Sequence, residues 1–122
     1  MKYTRLFADA DGESHFDDVD EPMEEVNYAP PAPAILMGAP RDVSKAIVSV
    51  LPANFHGDWH NTPVRQLYIQ LTGCIDVEVS DGERRQFCAG DLVLVEDTHG
   101  KGHVTVVMGN EPAQAMFIQL AE

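Results

Sequence analysis

A chain of 122 residues, 44% hydrophobic and 23% charged, suits one soluble domain that buries a core without disulfide staples. Its formal net charge of −12 excludes phosphate-backbone binding, which needs clustered Lys and Arg, and docking on anionic lipid. No stretch is long and apolar enough to span a membrane, so neither nucleic acid nor membrane is an expected partner.

Tyr3 to Ala8 alternates as a short strand, and Asp9-Ala10-Asp11-Gly12 has turn chemistry before a second strand opening at Ser14-His15-Phe16. The run from Asp17 to Glu25 has no apolar period and reads as a solvated loop with one helical turn near Met23. Nine acids lie between Asp9 and Glu25 with no Lys or Arg among them, leaving −3 for the rest of the chain. No apolar run follows Lys2 and Arg5, so no signal peptide and a cytoplasmic protein are expected. Proline lacks a donor and fixes φ, so Ala29-Pro30-Pro31-Ala32-Pro33-Ala34 reads as an extended crossing segment. Ile35 to Met37 follows as a short edge strand. Residues 1–44 thus form N-terminal strands, an acidic loop and a Pro-rich crossing, ahead of a β core over 45–122 within one domain.

In that core, Ala46 to Leu51 is rich in β-branched residues, and Val64 to Leu71 is a further strand. Cys74 to Ser80 alternates, with Ile75, Val77 and Val79 on one face and Asp76 and Glu78 on the other. Asp81-Gly82 fits a two-residue hairpin loop, which sets Cys88 opposite Ile75 and Cys74 opposite Ala89. On that register the two thiols lie on opposite faces, a disulfide is disfavoured, and free thiols suit a reducing compartment. Asp91 to Val95, Val104 to Met108 and Ala115 to Leu120 complete a set of short strands parted by Gly, Pro, Asn and Asp. This is an all-β sandwich or barrel pattern.

Two stretches carry the chemistry. In the first, His60, Thr62, Val64, Gln66, Tyr68 and Gln70 share one face, while Leu67, Ile69 and Leu71 make the other purely apolar. In the second, Leu92 to Val95 leads through Glu96-Asp97 to His99 and His103 in a glycine-rich loop. We expect these stretches to wall one pocket lined by His60, Thr62, Gln66, Tyr68 and His103, with Trp59, Arg65 and Glu96 as further ligand-binding candidates. Arg65 has the opposite parity and suits pairing with a carboxylate, and Trp59 suits core or interface filling as well as a stacking lid. Glu96 and Asp97 are adjacent and face opposite ways, so no paired acid–base site is expected from them. No catalytic residue is assigned.

These residues resemble the two motifs of the cupin superfamily. The first motif has His-x-His, Glu and Gly; here His60 stands first, Thr62 replaces the second His, Gln66 replaces the Glu, and Gly73 is in place. The second motif opens Gly-Asp, here Gly90-Asp91, with Glu96 where Pro stands and His103 two residues late. The chain is also similar to a group of small bacterial single-domain cupins over Phe7–Phe16, Asp58–Gln66 and Glu96–His103, nearly its whole length. The resemblance implies a single-domain cupin jelly-roll barrel of two antiparallel sheets. It also implies a homodimer formed through sheet faces or exchanged N-terminal strands, with Tyr3–Phe16 as the segment for exchange.

Cupin metal sites hold Fe, Mn, Ni or Zn with three His and one carboxylate, and two of those four positions are replaced here. His60, Gln66 and His103 remain as a degenerate divalent-metal set, with hydroxyl and amide oxygens poorer donors than the groups they replace. The expected function is therefore small-molecule binding with a degenerate metal site. A metal-dependent oxygenase or isomerase and a non-catalytic assembly or sensor module are the alternatives.

Overall fold

The computed structural model describes residues 1–122 as an all-β molecule of eleven strands. They are β1 Lys2–Ala8, β2 Ser14–Asp20, β3 Glu24–Val26, β4 Ile35–Met37, β5 Val43–Leu51, β6 Gln66–Thr72, β7 Cys74–Val79, β8 Arg84–Cys88, β9 Leu92–Val95, β10 His103–Val107 and β11 Ala113–Leu120. No helix is long and apolar enough to cross a membrane.

Six strands form one sheet in the order β2-β1-β9-β6-β11-β5, and three form a second, β10-β7-β8. The layers face each other because each presents apolar side chains inward, as β7 does with Ile75, Val77 and Val79 buried while Asp76 and Glu78 point out. Leu6, Phe16, Tyr68, Val93, Val95, Ala113 and Ala115 of the large sheet meet Ile75, Val77, Val79, Phe87 and Val107 of the small one. All are buried, and their removal from water supplies the drive for closing the layers.

The architecture is an open sandwich rather than a closed barrel. Three strands cannot cover six, so the β5 end of the large sheet lacks a facing strand, and Ile47, on its inner side, stays 40% exposed. Nor is the large sheet wholly antiparallel, since β1 runs parallel to β9 with Arg5 beside Leu94. The N-terminal strands belong to this same sheet. Tyr3, Leu6 and Phe16 are buried in their own chain.

Three local expectations are corrected. The acidic run is not a loop from Asp17 onward: β2 continues to Asp20, and β3 starts at Glu24. Its charge is partly answered by Arg85, whose Nη1 lies 2.7 Å from Asp18. The proline segment does not cross between layers. It turns, with the Ala32 amide donating to the Ala29 carbonyl at 2.9 Å, and joins β3 to β4 in a separate two-stranded hairpin.

The β7–β8 register is the third correction. Gly82 N–H donates to the Val79 carbonyl and Val79 N–H to the Glu83 carbonyl, both at 3.0 Å, so Ser80-Asp81-Gly82 is a three-residue loop. Gly82, at φ +98°, fits the glycine bulge that ends such loops. The extra loop residue moves every pair by one, and Cys74 now faces Cys88. Their Cα atoms are 4.1 Å apart and a disulfide joins them. The free-thiol argument for a reducing compartment falls with the old register.

Candidate functional site

A cavity of about 430 Å³ lies between the two sheets. Its body is apolar, with Leu6, Ile75, Val77, Phe87, Val93, Val95 and Phe117 among its walls. No Lys, Arg, Asp or Glu lines it. Its polar lining comes from His60, Thr62, Gln66 and His103, with Ser49, Tyr68, Thr105 and Gln119 besides.

The backbone brings the two imidazoles together. His60 donates its amide to the His103 carbonyl at 3.1 Å, and His103 returns the bond at 2.9 Å. Such an antiparallel pair puts both side chains on one face. The ring centroids lie 4.5 Å apart with planes at 55°. Gly102 makes the approach possible, since at φ +77° a Cβ there would run into the His60 carbonyl.

Each ring is oriented from behind. His103 Nδ1 lies 2.6 Å from Oδ2 of Asp97, a carboxylate with no exposed surface. His60 Nδ1 lies 2.8 Å from the Asp58 carbonyl. A carbonyl and a carboxylate only accept, so in the neutral rings both Nδ1 atoms carry the hydrogen and both Nε2 atoms keep a lone pair. The second oxygen of Asp97 has no hydrogen-bond partner.

Two hydroxyls, of Thr62 in the loop before β6 and of Tyr68 on it, are already committed. Thr62 donates to the Val64 carbonyl at 2.7 Å, and Gln66 Nε2 donates to Thr62 Oγ1 at 3.1 Å. Tyr68 donates to Gln70 Oε1 at 2.6 Å, and Gln70 Nε2 to the Thr72 carbonyl at 2.8 Å. Burial pushes the Tyr68 phenol up to about 12, so it stays neutral in the cavity wall.

Trp59, Arg65 and Glu96 do not line this cavity. Trp59 is 49% exposed and sits outside the small sheet beside Asp76, Glu78 and Arg84. Glu96 is out of phase with the inward Val93 and Val95, and it meets Arg5 and Arg65 on the outer side, with Arg65 Nη2 at 2.5 Å. Burial works to raise the Glu96 carboxyl, but its bonds to Arg5 and Arg65 outweigh it and hold it below the usual range. His56 bridges to Val106 and His99 reaches the Asp9 carbonyl at 3.4 Å, both away from the imidazole pair. Lys101 pairs with Glu13 at 2.6 Å.

Asp97 is the residue that motif spacing does not reveal. It continues the inward phase of Val93 and Val95, and that parity is the signal that could have found it.

The resemblance implies a transition metal, and the donor set does not fit one. Two imidazoles and a neutral carboxamide stand at the site, and no group of three His, Cys, Asp or Glu is placed to hold a metal ion. Asp97 is behind His103, in the place of an orienting carboxylate rather than a ligand. Compared with known families and curated proteins, the chain matches no family model and no curated sequence.

Proposed function

We propose that this protein is a cupin-like small-molecule-binding module whose cavity takes its ligand without a resident metal. One observation carries the reading: His60 and His103, 43 positions apart, stand together in the wall of a largely apolar cavity of about 430 Å³. That volume and polarity are those of small-ligand sites. A fragment screen by thermal shift, on protein purified without a His tag, tests it. Fragments will raise the melting temperature of the wild type but not of Ser49→Trp, which fills the cavity from β5. A screen with no hits would falsify the reading, and stoichiometric metal in that protein would overturn its metal-free form.

The proposed assembly is a homodimer through the outer face of the large sheet. The outward positions of β9, β6, β11 and β5 carry no Asp, Glu, Lys or Arg, and Val48 is 77%, Val50 61% and Leu71 45% exposed. Two copies at −12 each repel except across an uncharged face, and a face can pair with itself about a two-fold axis. Light scattering will give twice the chain mass for the wild type and the chain mass for Val48→Lys/Leu71→Lys. A monomeric wild type, or a dimer indifferent to those lysines, rejects this face.

A further inference from the structure

We infer that the ligand of this cavity is a neutral molecule with an apolar body and a hydroxyl head group, an alcohol or a phenol, seated on the two imidazoles. The inference rests on the ligand-binding reading above and names the class of molecule bound.

The donors and acceptors around the two imidazoles decide the head group. Both Nδ1 atoms donate into the wall, to Asp58 and Asp97, so each neutral ring offers the cavity an Nε2 acceptor. His103 is 7% exposed, and its Nε2 has no protein partner yet is not sealed off from solvent. Three of the four neighbouring hydroxyls cannot serve as donors without breaking bonds. Thr62 donates to Val64, Tyr68 to Gln70, and Ser49 to the Ala115 carbonyl at 3.2 Å. The free donors nearby are the Thr105 hydroxyl, two residues on from His103, and carboxamide hydrogens from Gln66 and from Gln119, which sits opposite it in register.

A head group must therefore give a hydrogen to imidazole and can accept one from a carboxamide or from Thr105. A hydroxyl does both. A carboxylate gives none, and it would bring a negative charge against imidazole lone pairs, with Asp97 behind and no Lys or Arg on the wall. An ammonium gives hydrogens, but no carboxylate lines the cavity to offset its desolvation. An ether or hydrocarbon of the same shape leaves the Nε2 acceptors unpaired.

Calorimetric titration with four probes decides it: phenol, cyclohexanol, methoxybenzene and benzoate. Phenol and cyclohexanol will bind at least about tenfold more tightly than methoxybenzene or benzoate, the ratio set by one unpaired buried acceptor. His60→Phe, a change at an exposed position, will reduce the preference for phenol over methoxybenzene while the fold is retained by circular dichroism. Equal affinity for phenol and methoxybenzene, or tightest binding of benzoate, overturns the inference and leaves the ligand-binding reading standing. Failure of both hydroxyl probes overturns it too. If the fragment screen is also silent, the ligand-binding reading falls with it.

Discussion

At the scale of single residues, the site depends on a missing side chain. Gly102 lets the chain pass against the His60 carbonyl, and its φ of +77° is one that L side chains rarely adopt. Gly102→Ala will lower unfolding free energy by at least about 2 kcal/mol in urea titrations, from strain and the lost His60–His103 bridge together. Asp97→Ala leaves the His103 Nδ1–H buried without a partner, at a cost of about 1–3 kcal/mol. It will also weaken fragment binding, although Asp97 does not touch the cavity, because the His103 tautomer is no longer held. Asp97→Asn, whose amide oxygen still accepts, will keep most of that binding. The His pair was legible from two polar strand ends, but their partner was not. Among two adjacent acids, only the phase of Val93 and Val95 separates the inward Asp97 from the outward Glu96.

At the scale of elements, alternation located the strands and left their pairing open. β5 to β11 fall close to where β-branched and apolar residues alternate. β2 was hidden past Phe16 because Asp17, Asp18 and Asp20 have poor intrinsic strand preference. It is held as the second strand of a hairpin with β1, and Arg85 beside Asp18 comes from distant sequence. The β7–β8 hairpin was ambiguous for another reason. Asp-Gly serves both a two-residue loop and a three-residue loop with a glycine bulge, and local chemistry does not choose between them. The core chooses, and the choice decides the state of both cysteines. Denatured protein that has met no reductant will therefore show no thiol reactive to Ellman's reagent, and two after reduction. Two thiols before reduction would restore the shorter loop. The Cys74→Ser/Cys88→Ser double variant will lose up to about 3 kcal/mol, the chain-entropy scale for a bridge across 14 residues.

At the scale of the whole molecule, the two layers are also tied outside the core. His15 on β2 reaches Asp81 in the β7–β8 loop through Nδ1 and Asp9 through Nε2, both at 2.7 Å. Asp9, then Asp81, hydrogen-bonds the imidazole and raises it above its ordinary 6.5. The His15 bond holds Asp9 below its ordinary 3.8, and the Glu83 amide followed by His15 does the same for Asp81. Stabilisation from a raised imidazole is complete below 6.5 and is lost as pH climbs through its folded value; that from depressed carboxyls is complete above 3.8 and is lost as pH drops through theirs. The melting-temperature gap between wild type and His15→Gln will therefore be widest between these two values and will close on either side. That the layers stay an open sandwich rather than closing into a barrel, by contrast, was not legible, because it depends on how many strands each layer collects rather than on where strands fall.

The cavity lies among core residues, which makes any occupant a part of the interior. Folding and occupancy then share one equilibrium, and an occupant at a hundred times its dissociation constant adds about 2.7 kcal/mol. A guest shielded on both sides by protein also escapes slowly into wash buffer. On the proposed ligand-binding reading, native mass spectra of freshly isolated protein will carry a satellite peak that heating releases.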